Sequence, residues 1–378
     1  MTLPLTPNVA SPLGPPAPEP LDFPLSWLLE HASAPVQYRA TVDVARLPLP
    51  TPERFALLPY TYEPALLLAV LQEPDGTWNH SMLTVPSPRA ENFQGVGTIP
   101  AVRRLLEYGW NRESPPLVQA RRVLFRLLAE DEDPGFLFEL APKGKAPEPL
   151  AVKHGRALLR EAAAATLAQA GYESDPRLRG AARRILDRVD AFLRSPLAAK
   201  PFVRAGNVHV LAPEAVPPSA YTLMMLAFMP LFRSELYDIM ERLFAYLSQP
   251  QPRQTPASLV AKKIVPEPQI VLGDPLPSRN VVDADAPAAL FWLELFARLG
   301  FLRRHEGWSR LYERFLDDRD GIGVWHAARK GLVVRSANPV VWPYFPLDPH
   351  PSADEVQAEV TFRLGLIARQ LGRPINVV

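Results

Sequence analysis

The residues of this chain best suited to do chemistry are two aspartates at the entrance to an apolar helix. Asp283 and Asp285 precede PAALFWLELFARLG, residues 287–300. A carboxylic acid kept in a dry, apolar site holds its proton at neutral pH and becomes a strong general acid. The same acids have a structural use, because carboxylates before a helix cap its free N–H groups and favour its dipole. Pro287, near the first turn, marks a helix start under either reading. Geometry separates the two. A proton donor points into a water-poor cavity, whereas a cap accepts N–H bonds from residues near Ala288 and Ala289.

Aromatic side chains are the second ingredient. Tyr221, Trp292 and Phe296 fall on apolar helices, and Trp342, Tyr344 and Phe345 fall in the proline-rich loop 338–351. Ring faces carry negative potential and stabilise cations, so these six are the expected lining of a cavity. Core packing is the ordinary use of such rings. Histidines 31, 80, 154, 209, 305, 326 and 350 nowhere take the spacing of a helical metal site, and cysteine is absent. No metal and no cofactor are therefore expected, and thiolate chemistry and disulfides are excluded.

These residues need a scaffold, and the chain spells out a helical one. Lys and Arg number 41 against 40 Asp and Glu, a balance that argues against a nucleic-acid binder. The start has no basic n-region or apolar h-region, and the most apolar stretch, Tyr221–Phe232, is too short to span a bilayer. A cytoplasmic location without a transmembrane segment is the expectation. Proline, at 45 residues, must punctuate connections because it breaks helix interiors. Residues 1–24 read as a proline-rich arm, and 25–378 as one domain.

Within that domain a helical hairpin recurs. The copies pair Ser26–Leu47 with Glu63–Trp78, Thr98–Gly109 with Pro116–Gly135, and His154–Gly171 with Asp175–Ser195. Two more pair Ser219–Phe232 with Ser234–Gln249 and Ala284–Gly300 with Gly307–Trp325, and Ser352–Gly372 closes the set. The first helix of most pairs is apolar nearly all round, so it is buried on both sides; the second has a charged face and meets water. Gly109, Gly171, Gly300 and Gly372 sit at helix ends, and Ser219, Ser234 and Ser352 sit where N-caps belong. The reading is all-α: an α/α toroid of about five to six hairpins, with an open solenoid as the alternative.

The turn LQEPDGTW, Leu71–Trp78, resembles the Q-x-x-D-G-x-W turn of squalene–hopene cyclases, terpene cyclases and prenyltransferase-type toroids, with Gln72, Asp75, Gly76 and Trp78 in place. FLDDRDGIGVW, Phe315–Trp325, reads as a looser copy with Asp318 for the glutamine and a longer gap. The segment from Val281 is similar to the D-x-D-D-T-A motif of class II terpene cyclases, Asp283 and Asp285 matching the first two acids, while Ala286 and Pro287 replace the third acid and the threonine. The resemblance implies an isoprenoid or other lipidic ligand in an apolar central cavity, with protonation from Asp285 if the chain is an enzyme. The alternative is a non-catalytic toroid that binds or scaffolds. A glycan-active barrel using Glu63 and Asp285 fits less well, because the first helices are mainly aliphatic.

Overall fold

The computed structural model describes residues 19–47, 55–87, 90, 92–129, 148–327, 336 and 338–378. Helix accounts for 53% of the chain, and the described strands form three two-stranded sheets. The N-terminal part comprises β1 (Leu21–Phe23), α1 (Leu25–His31), α2 (Ala34–Arg39, continued by a π turn over Ala40–Ala45), α3 (Leu58–Thr61) and α4 (Glu63–Val70). Then come α5 (Thr98–Glu107), α6 (Pro115–Leu127), α7 (Pro149–Gln169) and α8 (Pro176–Leu193), followed by the hairpin β2–β3 (Phe202–Ala205, Val208–Leu211). The remainder is α9 (Ala220–Ala227), α10 (Pro230–Ser234), α11 (Tyr237–Leu247), the hairpin β4–β5 (Ala257–Val260, Lys263–Pro266), α12 (Val281–Ala284), α13 (Ala286–Leu299), α14 (Glu306–Asp317), α15 (Ala353–Gln370) and β6 (Ile375–Val377).

Burial follows the two helix chemistries. Every residue of α9 is buried, as are Ala162–Ala168 of α7 and Ala358–Ala368 of α15. In α6, α8, α11 and α14 only one face is. The buried helices touch in sequence: α2 packs on α15, α15 on α13, α13 on α9, α9 on α7 and α7 on α5. Arg39 of α2 then donates to Glu107 of α5 at 2.7 Å, joining the last of these helices to the first.

Local signals set the helix ends. Ser352 caps α15 in a reciprocal capping box with Glu355, and Ser219 caps α9. The four expected terminal glycines all take positive φ. Ser234 differs: it ends α10 rather than starting a helix. The apolar run 219–232, expected as one helix, stops at Ala227, and a second short helix starts at Pro230, whose ring and missing N–H forbid continuation. The two β-hairpins lie in proline-containing connections and show no extended alternation in sequence. The second hairpin's outer helix, expected to reach Gly135, ends at Leu127 with Leu128 as its C-cap, and residues 130–135 lie outside the described ones.

The tryptophan turns are true copies, in a register the sequence disguises. Gln72 bridges Trp78, and Arg319 bridges Trp325, across the same six residues. The glycine at positive φ is Gly76 in one and Gly323 in the other, so Arg319 replaces the glutamine, Asp318 does not, and the gap is no longer than in the first copy. A Cβ on Gly76 would lie 2.9 Å from the Gln119 carbonyl oxygen, and on Gly323 2.8 Å from that of Asp22. Each tryptophan N–H of the backbone donates to a threonine on the next buried helix, Trp78 to Thr98 and Trp325 to Thr361.

The chain ends build a unit together. β1 pairs in parallel with β6, and α1 packs on α15. Leu21 and Phe23 are buried, so the expected arm boundary at residue 24 falls too late; residues 21–23 belong to the fold, while residues 1–18 lie outside the described ones. Gly365 of α15 allows this approach, for a Cβ there would lie 2.5 Å from the Phe23 ring.

Trp78 is 0% exposed, and its indole N–H donates to the Leu68 carbonyl at 2.8 Å. Trp78→Ala should therefore lose about 3–5 kcal/mol in urea unfolding. A loss below about 1 kcal/mol would mean that the turn does not pin its neighbours.

Candidate functional site

Where the buried helices converge, their core is ionic. Glu107, in the last turn of α5, accepts from Arg39 of α2 at 2.7 Å and from Arg363 of α15 at 2.8 Å, both on Oε2. Its Oε1 accepts from Gln169 Nε2, at the end of α7, at 2.7 Å. Glu294 of α13 pairs with Arg298 one turn on at 2.9 Å and lies 3.7 Å from Arg363. Glu359 lies 3.5 Å from Arg363 and accepts from the Leu347 backbone N–H at 2.8 Å. Burial alone would raise the Glu107 carboxyl, yet Arg363 and Arg39 hold it at about 2. Glu359 has less compensation, and burial lifts it to about 7.

The loop 338–351 plugs one side of this cluster. Its backbone carbonyls take the donors that the carboxylates leave free: Arg104 donates to Trp342 at 2.7 Å and to Pro346, and Tyr108 donates to Leu347 at 2.9 Å. Arg363 lies 3.8 Å over the Tyr344 ring, and Arg104 4.4 Å over Trp342. Planar guanidinium suits such stacking and carbonyl binding together.

Between loop and helices remains a void of about 20 Å³, room for a single water. Arg103, Glu107, Gln169, Glu294, Arg298 and Tyr344 border it, with Met224, Phe228 and Phe291 as apolar wall. Arg103 Nη1 makes no hydrogen bond there, and the Tyr344 hydroxyl has only the Glu294 carboxylate. Arg103 is 1% exposed, and its one side-chain bond runs from Nε to Gln169 Oε1 at 3.3 Å. Burial drops its pKa to about 10. Tyr344 is pushed far up by burial and by Glu294, so its hydroxyl keeps its proton.

Glu107, Gln169, Phe228 and Arg298 also border an open cleft of about 390 Å³, which Tyr38, Arg39, Asp43, Trp110 and Arg112 complete. This cleft lies at the C-terminal ends of α5, α7, α9 and α13. Void and cleft share a wall where Arg298 sits 4.6 Å over the Phe228 ring.

The residues singled out in the sequence are mostly elsewhere. Asp285 is exposed, and its carboxylate accepts from the Ala288 N–H at 3.1 Å as the N-cap of α13. That is the capping geometry; the dry surroundings a proton donor requires are not around it. The side chain of Asp283 lies outside the described structure. Phe296 stacks on Trp308 at 4.1 Å, Trp292 packs on Phe291 and Phe296, and Trp342 meets Phe93 edge-on. Phe345 is fully buried, and Tyr221 is buried beside Arg103. Of the six expected lining residues, Tyr344 alone borders the void, which is small and bordered by charged side chains as well as apolar ones, where a roomy apolar cavity was expected. The polar cluster itself went unread. Its signal was opposite charges four residues apart on buried helices: Arg103 and Glu107, Glu294 and Arg298, Glu359 and Arg363.

Glu107→Gln leaves two buried guanidiniums short of a counter-charge and should cost about 3–5 kcal/mol at pH 7. Because the folded carboxyl titrates near 2 against 4.5 unperturbed, its contribution is present above about pH 4.5 and is lost as pH falls toward 2. Urea unfolding should show the gap between variant and parent narrowing over that interval; a gap independent of pH would contradict the pairing. Glu359 has the opposite sign: raised to about 7, it opposes folding as pH climbs from 4.5 to 7, and Glu359→Gln should gain on the parent across that window.

Among the described residues no group of His, Asp and Glu side chains is arranged to hold a metal ion, and no helix is long and apolar enough to cross a membrane. Comparison with family models, with curated proteins and with solved structures found no match to this chain.

Proposed function

We propose that the chain is an α/α toroid of six hairpins, the sixth shared between its two ends, and that it binds a small polar ligand in the cleft at the C-terminal ends of its inner helices. The closed reading rests on the succession of buried helices from α2 through α15, α13, α9 and α7 to α5, with Arg39 and Glu107 bridging its ends. The binding reading rests on one observation: a void, bordered by the unpartnered Arg103 Nη1, that shares its wall with an open cleft. Buried polar atoms without partners are costly, and a ligand able to satisfy them gains what the empty site lacks. An isoprenoid would leave them unsatisfied, and no such ligand is part of this reading. Neither is proton transfer from Asp285.

Thermal unfolding of the purified chain with two sets of compounds tests the proposal. Small polar acids and amides at millimolar concentration should raise Tm, and farnesol and squalene in mild detergent should not. Stabilisation by the isoprenoids with none from the polar set would overturn it and restore the lipid-binding expectation.

A further inference from the structure

The charge balance of the cluster narrows the ligand further. Its guanidiniums are Arg39, Arg103, Arg104, Arg298 and Arg363, and its carboxylates are Asp43, Glu107, Glu294 and Glu359. Four of the five cations are accounted for. Arg39 sits between Asp43 and Glu107, Arg298 on Glu294, and Arg363 among Glu107, Glu294 and Glu359. Arg104 spends both Nη atoms on the carbonyls of Trp342 and Pro346, leaving only its Nε unbonded. Arg103 alone has neither a carboxylate nor a carbonyl on its Nη atoms.

Gln169 is the reason. Its Nε2 donates to Glu107, and its Oε1 accepts from Arg103 Nε, so the amide stands between a carboxylate and a guanidinium one helical turn apart that would otherwise pair. The arrangement holds Arg103 Nη1 unsatisfied at the edge of the void. The Tyr344 hydroxyl borders the same space but faces the Glu294 carboxylate, its acceptor. About 20 Å³ admits one oxygen atom beside Arg103 Nη1.

We infer that this neck is the seat of a carboxylate, with one ligand oxygen accepting from Arg103 and the rest of the molecule lying in the cleft; the inference rests on the pocket proposed above. The anionic charge supplies what Arg103 lacks. The size of the neck selects the group: a flat carboxylate can offer a single oxygen to a one-water void and leave the other near Arg298, at the wall shared with the cleft. A phosphate would press more oxygens and more charge against Glu107 and Glu294 than a carboxylate held on Arg103 does. Phe228, Met224 and Phe291 give an apolar wall for the carbon chain or ring that follows.

Isothermal titration with benzoate, benzamide and inorganic phosphate distinguishes the outcomes. Benzoate should bind the full chain at least about tenfold more tightly than benzamide, the difference expected of a charge-assisted bond, and phosphate should not compete with it. Arg103→Met should weaken benzoate by about thirtyfold or more, and Arg103→Lys by less. Arg103→Lys keeps the charge, so it remains informative if Arg103→Met folds poorly. Equal binding of benzoate and benzamide, unaltered in Arg103→Met, would overturn the carboxylate seat while leaving the polar pocket standing. If neither compound binds at all, the pocket reading falls, and the seat with it.

Discussion

One carboxylate holds the interior in register. Glu107 is buried at the end of its helix and takes two guanidinium donors, from the first buried helix and the last, on a single oxygen. Burying an ion costs several kcal/mol unless its partners are placed well, so the three helices that supply these groups have little freedom to slide past one another. The other interior contacts build on that arrangement. Arg363 reaches onward to Glu294 and Glu359, and Glu359 holds the Leu347 N–H of the plugging loop. An apolar centre of the same volume would bind the helices as tightly but would leave their mutual rotation open. Ionic geometry removes that choice.

The same cluster explains why the interior is not neutral. Every cation but one is neutralised or spent on carbonyls, and the exception is separated from the nearest carboxylate by an amide placed between them. A chain selected for stability alone would lose little by putting an apolar residue at position 103. Under the proposed reading, the stability cost of a buried guanidinium there is set against ligand binding.

Much of the architecture was legible because it depends on local chemistry. The left-handed glycines after four helices, the capping serines 219 and 352, and the buried Trp78 all follow from neighbouring residues. What escaped depends on distance or on ambiguity. The DGIG in the second tryptophan turn offers two glycines, and only backbone approach to Asp22 picks out Gly323. The unit shared by the chain ends joins residues more than three hundred positions apart. Most telling is the centre. Arg363 and Glu107 meet across 256 residues, and no helical periodicity carries that pairing. The aromatic loop 338–351 pointed toward a cavity because rings and prolines suggest a lining. In the fold its carbonyls matter as much as its rings, because they are what buried arginines 104 and 363 bind.

Whether Arg103 is kept for a ligand or for the fold is the question on which the account turns. The direct measurement is the unfolding free energy of ligand-free Arg103→Met beside the parent chain, from urea titration at pH 7. If the guanidinium is a buried charge awaiting a partner, replacing it with an apolar side chain of similar length should leave stability unchanged or raise it by about 1–4 kcal/mol. A loss of about 3 kcal/mol or more would instead make Arg103 part of what holds the structure together, and would contradict the account.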